Sequence, residues 1–282
     1  MKWDEMGRYD IYNEIQQLDP RTDNERIVYL VGAYEFPFEV QRSLEMALLR
    51  TFAIPRMSAL LDQTGSFKAD GQKRYDATAL IVSEIAEHGY DSERGRAAIR
   101  QMNRAHRRFA IENEDFLYVL STFIFEPIYW NKLLAWRRSS EKEKLANYYF
   151  WVEIGKRMNI QDIPETYEAF EQFKAAYEEK YMVYAPSNAR VAEASIQTFL
   201  NWFPRFTHSI GRRVAYALMD DRMREAFGYP RQPKWLVWLV HRGIRLRAWL
   251  VKMLPPRRKP FLFTQLPNRT YPANYKIEEL GS

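Results

Sequence analysis

The chain has 282 residues, 46% hydrophobic and 15% aromatic, with a formal net charge of +6. That length and apolar content suffice for one sizeable helical core or two small ones. It contains no cysteine, which excludes disulfides, thiolate zinc sites, cysteine-ligated clusters and a cysteine nucleophile.

No window approaches the roughly 18 uninterrupted apolar residues that a membrane span requires. The opening stretch MKWDEMGRYD lacks the apolar segment of a secretory signal. The expectation is a cytoplasmic protein without a signal peptide or transmembrane helix, with docking at the periphery of a membrane as the alternative. The basic excess is unevenly placed: Arg242 to Lys259 holds seven Arg/Lys residues and no acid.

Glycine is scarce, with 11 residues, and helical periodicity recurs, so the expected fold is all-α. The first 25 residues read as polar and partly irregular. Helices are expected over Phe38–Thr51 and over a shorter stretch closing at Gly65, followed by a polar loop at Lys68–Lys73. The next helices run from about Gln72 to His88 and from an Asp91 or Ser92 cap to about Ala110.

The segment FLYVLSTFIFEPIYW is apolar on every side, as a helix surrounded by others should be. Pro127 is expected to kink or end it. Further helices are expected at Ser140–Met158, Glu165–Tyr181, Asn188–Trp202 and Arg205–Phe227, with a stop at Gly228-Tyr229-Pro230. After Pro233 comes a basic helix carrying Trp235, Trp238 and Trp249. That pattern suits either a membrane interface or a helix packed on the domain with a solvated basic face. Three divisions follow: residues 1–26, a core over 27–230, and a basic Trp-rich helix and tail over 231–282.

Several chemistries drop out early. There is no GxGxxG, no phosphate-binding loop, no HExxH and no GxSxG. A di-iron bundle wants Glu-x-x-His on two helices, whereas Glu84 and His88 are four apart and no second copy exists. No basic–aromatic module suits nucleic acid, so no nucleic-acid partner is expected.

What remains is histidine chemistry in an apolar helical interior. Ile99, Met102, His106 and Phe109 share one face of their helix, so His106 points inward, either as a satisfied core histidine or as a ligand. Arg104, Arg107 and Arg108 flank it and would suit the propionates of a haem. Arg74 and Thr78 lie at i,i+4 on the preceding long helix. They are placed to hydrogen-bond a small ligand opposite His106, or else Arg74 forms an ordinary ion pair with Asp70 or Asp76. His208, after Pro204, is a second choice for an axial or pocket role, against a capping or interhelical hydrogen bond. His88 reads as a helix C-terminal residue and His241 as part of the amphipathic surface.

Two long runs carry a resemblance: MNRAHRRFAIENEDFLYVLSTFIFEPIYWN (Met102–Asn131) and YYFWVEIGKRMNIQDIPETYEAFEQF (Tyr148–Phe173). With Phe36–Phe67, Arg74–His106 and MREAFGYP (Met223–Pro230), they resemble the MpaB family of oxygenases, which shares a catalytic domain with the rubber oxygenases, or latex-clearing proteins. The similarity covers roughly Ile27 to Arg258.

The resemblance implies an all-α domain around a b-type haem that uses O2 to cleave a carbon–carbon double bond in an apolar isoprenoid. The family's axial histidine falls on His106, and its Arg-x-x-x-Thr pattern on Arg74 and Thr78. A lysine that caps the iron in rubber oxygenases is replaced here by Ala77, which implies an open distal side. A second histidine found in many relatives is replaced by Leu120. The family's catalytic glutamate has no clear match; Asp62 is a weak candidate. Hydroxylation and peroxidase-like chemistry use the same pocket. The competing class is a non-catalytic protein holding haem or an isoprenoid lipid at an anionic membrane surface, with residues 234–259 as the docking segment.

Overall fold

Short polar residues and prolines mark where most helices begin. Ser92 and Thr166 accept backbone N–H groups from Gly95 (2.9 Å) and Ala169 (3.1 Å). Ser140 closes a capping box with Glu143, and Pro37, Pro55 and Pro186 occupy first helical turns. Each device satisfies or removes a backbone donor that the first turn leaves orphaned.

The computed structural model describes residues 7–272 and 274–281. Among them no strand occurs, and the first helices are α1 (Asp10–Gln17), α2 (Asn24–Leu30), α3 (Pro37–Phe52) and α4 (Pro55–Thr64). The middle of the chain forms α5 (Ser66–His88), α6 (Glu93–His106), α7 (Asn113–Leu134), α8 (Glu141–Arg157) and α9 (Tyr167–Tyr181). The last four are α10 (Pro186–Leu200), α11 (His208–Leu218), α12 (Asp221–Ala226) and α13 (Lys234–Met253). The all-α expectation holds, and the chain is a single domain.

The start of the chain is partly irregular, as expected, at residues 18–23, and Ile11 and Ile15 of α1 bury against Ile27 and Leu30 of α2 and Ala146 of α8. Four local expectations are corrected. The polar loop expected at Lys68–Lys73 is instead a kink within α5, confined to Asp70 (φ −150°, ψ 62°). There the Asp70 carboxylate accepts the Lys73 N–H at 3.1 Å and restarts the helix as an internal cap.

The helix carrying His106 stops at that residue rather than at Ala110. The long segment expected over Arg205–Phe227 breaks at Asp220, whose carboxylate caps α12 by accepting the Met223 N–H at 2.8 Å.

Pro127 neither ends nor breaks α7, which continues to Leu134. A proline leaves the carbonyl four residues earlier without its helical donor. Here the Asn147 amide on α8 donates to that carbonyl, Phe123 O, at 3.4 Å and to Ile124 O at 2.8 Å. A side chain 24 residues away in sequence supplies the missing bond.

α7 is the central element, with Tyr118, Ile124 and Phe125 fully buried between α3, α8 and α9. Its approach to α8 depends on Gly155: a Cβ there would lie 2.7 Å from a Leu120 methyl and 2.8 Å from one of Ile163. The tail after α13 returns to the core. Its Ile277 and Leu280 are buried with residues of α5 and α6, and the Gln101 amide donates to Leu280 O. Along α5, Glu87 accepts the Phe263 N–H at 2.6 Å and Asp76 accepts the Thr270 N–H at 3.0 Å.

Candidate functional site

A cavity of about 580 Å³ lies between α3, α4, α5, α6, α7 and α10, with a predominantly apolar lining. That volume falls in the range of small-molecule and cofactor sites. Phe116, Val119 and Phe123 of α7 form one wall, with Leu120 beside them. The polar side chains are the minority and include Glu45 of α3, Arg56 of α4, Arg74, Tyr75 and Thr78 of α5, and His106 of α6.

His106, Arg74 and Thr78 all line this cavity, so residues 28 and 32 positions apart in sequence are brought together as the sequence suggested. The His106 ring stands edge-on against Phe116, with centroids 5.4 Å apart at 82°. Its Nδ1 is buried and has no hydrogen-bond partner. Burial, and then the nearby Arg74 charge, hold its pKa below the ordinary histidine value. It is therefore neutral at physiological pH, the form that donates a lone pair.

Arg74 is equally unsupported. Its Nε is buried without a partner, and burial lowers its pKa. Its guanidinium carbon lies 5.2 Å from the centre of the Phe67 ring. The ion pairs that would have made it an ordinary surface residue do not form. Asp70 caps Lys73, while Asp76 is taken by Gln72 and Thr270. Buried polar groups are nearly always satisfied, so two orphans on one cavity wall mark it as a site.

The other sequence candidates lie elsewhere. Arg104, Arg107 and Arg108 are exposed and line no part of the cavity. Around the end of α6, Met102, Ala105, His106 and Phe109 face the cavity while the arginines between them do not, so adjacency in sequence does not carry the arginines in. The expectation that they reach this wall is corrected: the arginines that line the cavity are Arg74 and, at its margin, Arg56. Arg56 is held by Asp115 at 2.6 Å and by Tyr177 at 3.2 Å.

His208 starts α11, and its Nε2 meets Phe203 O at 3.1 Å. This local hydrogen bond lies away from the cavity. Asp62 is paired with Arg190 at 2.6 Å, outside the cavity lining. His88 sits 3.6 Å from Glu84 at the end of α5, and His241 is partly buried on α13. Ala77 and Leu120 both line the cavity, so neither substituted position offers it a polar atom.

No motif or spacing along the chain points to Glu45 and Tyr75. Both line the cavity, and the Tyr75 hydroxyl donates to Glu45 Oε1 at 2.6 Å, a carboxylate oxygen that also accepts from Arg42 at 2.7 Å. Burial raises the Glu45 pKa above the ordinary carboxyl range and raises that of Tyr75 as well. The two are 30 residues apart on different helices, so no local motif could have joined them. They also bound a second, smaller apolar cavity of about 110 Å³, toward α2 and Phe263.

Among the described residues, no group of three or more His, Asp or Glu side chains is arranged to hold a metal ion by itself. The fold and the cavity together define an all-α protein with a largely apolar pocket, whose lining carries a neutral imidazole, an unpaired guanidinium and a hydroxyl. Residues 43–252 match the family described as the ER-bound oxygenase mpaB/B'/rubber oxygenase catalytic domain, within the span that the sequence resemblance covered. The chain belongs to that family.

Two relatives are each 30% identical. One is the ER-bound oxygenase mpaB' of Penicillium brevicompactum, matched over 243 residues, 79% of this chain and 57% of that protein. The other is the ER-bound oxygenase mpaB of Penicillium roqueforti strain FM164, matched over 213 residues, 69% and 72% of the two chains. The chain thus spans little more than half the length of the first.

Proposed function

We propose that this chain is a haem b-dependent oxygenase that uses O2 on an apolar, isoprenoid-like substrate. The observation carrying the reading is the pair of buried, unpartnered atoms, His106 Nδ1 and Arg74 Nε, on one wall of an apolar cavity. The residues present fit a flat, apolar cofactor that takes one neutral nitrogen ligand. When bound, haem supplies the electron transfer and oxygen chemistry, while the protein supplies orientation and polarity.

His106 would hold the haem iron through a ring nitrogen, and Phe116 sets the plane of its ring. Arg74 and Thr78, one helical turn apart, present N–H and O–H donors to the oxygen reactant. In a dry chamber such donors are worth far more than in water, about 3 to 4 kcal/mol for the loss of one. Glu45 and Tyr75 share a proton elsewhere on the cavity lining. Phe116, Val119 and Phe123 exclude water and accept the hydrocarbon. The reaction proposed is cleavage of a C=C bond: the alkene double bond and the O–O bond break, and two carbonyl groups form. Both oxygen atoms are used and no external reductant is needed.

The test is the visible absorption spectrum of the protein expressed with adequate haem, beside His106→Ala. The expected result is a Soret band that is lost or shifted in the variant. No Soret band in folded wild type would overturn the haem assignment and leave an apolar-lipid-binding protein. Replacing Arg74 by Ala is expected to leave haem bound and to lower turnover of a prenylated alkene roughly 10²-fold. Wild-type turnover in that variant would remove Arg74 from the mechanism.

A further inference from the structure

Helix α13 is apolar on two sides. Its inner side packs on the domain through Leu236 and Ala248 and is tied down by two arginines. Arg247 pairs with Glu39 at 2.7 Å and lies over the Phe38 ring, while Arg245 donates to Leu133 O at 2.9 Å.

The outer side carries Trp235, Trp238, Leu246, Trp249 and Met253, each more than half exposed. At 100° per residue these five fall within about a quarter of the helix circumference, and Arg242 lies among them. Lys234 and Lys252 edge the stripe, and both are exposed. α11 packs beside α13, and the turn leading into it exposes Phe206 at 84%.

An exposed apolar stripe of this length on a soluble face calls for an occupant. We propose that the outer face of α13 docks on an anionic lipid bilayer, with the helix lying in the plane of the interface. Three of the eight tryptophans of the chain are on this helix, and indole favours the headgroup boundary. The cations complement anionic headgroups. No acid occurs between Pro233 and Leu262, so a second copy of this helix would meet it with like charge. Among the described residues no helix is long and apolar enough to cross a membrane, so α13 rests on the bilayer and does not span it. The proposal is independent of the cavity reading.

The experiment is flotation of the intact protein with vesicles of phosphatidylcholine alone and of phosphatidylcholine with 30% phosphatidylserine. It is run beside the triple variant Trp235→Ser, Trp238→Ser, Trp249→Ser. The wild type should bind the anionic vesicles at least tenfold more tightly than the neutral ones. Binding should weaken with salt, and brominated acyl chains should quench its tryptophan fluorescence. The triple variant should lose at least tenfold in binding with an unchanged circular dichroism spectrum and melting temperature, since the replaced side chains are exposed. Equal flotation of variant and wild type would overturn the proposal. So would no flotation with either vesicle, including the case in which light scattering finds a dimer that the triple variant abolishes.

Discussion

Two sets of charged side chains lie beneath the surface on either side of α3 and α7, and they are treated oppositely. In one, Arg50 is surrounded by carboxylates. Its Nε lies 2.8 Å from Glu126, its Nη1 3.4 Å from Glu178, and its Nη2 against Asp220. Lys174 joins the same cluster at 2.6 Å from Glu178 and 3.3 Å from Glu126, and Tyr118 donates to Glu178. Burial alone would lower the Arg50 pKa, but Glu126, Glu178 and Asp220 outweigh it and raise it.

In the other set, Arg74 is buried with no carboxylate paired to it among the described residues, and its pKa falls. The first cluster ties α3, α7, α9 and the cap of α12 together. The second leaves donor capacity unspent, facing a cavity. A buried charge surrounded by opposite charges is structure; one held without them is poised for something that enters the site.

The contrast makes graded predictions for stability. Replacing Arg50 by Ala leaves three carboxylates with Lys174 alone to balance them within the cluster, and should cost about 3–5 kcal/mol in urea unfolding. A loss under about 1 kcal/mol would show that the cluster is solvated and the comparison unsound.

Acidification should come next. The His106 pKa is held down by burial and then by Arg74, and that of His241 by burial and then by Arg245. A histidine whose folded pKa lies below its unfolded value near 6.5 binds its proton more readily in the unfolded chain. Stability is therefore full above about pH 6.5 and declines as the pH falls through that value. The decline levels off once the folded site also protonates. His106→Asn should flatten this decline in the apo-protein, and an unchanged pH profile would remove His106 as its source.

Arg74→Ala should change stability by less than about 1 kcal/mol, and in the favourable direction, because it removes a desolvated charge with no pair. A large loss would mean that Arg74 is structural after all. The smallest effect belongs to exposed Trp238, where serine should shift unfolding by no more than about 0.5 kcal/mol. A larger loss would show that the outer face of α13 packs within the fold.

Much of the fold could be read along the chain because its signals are local. Ser92, Ser140 and the helix-opening prolines act within one turn of themselves, and the apolar character of Phe116–Trp130 predicts a central helix whatever surrounds it. The misreadings share one cause. Pro127 would end an isolated helix, but Asn147 on α8 takes over the carbonyl it abandons. Asp70 and Asp220 look like loop residues because a lone aspartate does not announce which helix it will cap. Phe109 faces the cavity with Met102 and His106 as its spacing suggests, although the helix itself ends at His106.

For the site, the i,i+4 spacing of Arg74 and Thr78 and the inward register of His106 were determined by the sequence, because helical periodicity decides which side chains share a face. Only the tertiary structure decided that these faces meet across one cavity and that Arg104, Arg107 and Arg108 point away from it. It alone joined Glu45 to Tyr75 and left Arg74 without the aspartates that lie near it in sequence. The physical reason is that periodicity orients a side chain relative to its own helix. Its partners, and its lack of them, depend on what the neighbouring helices bring to that wall.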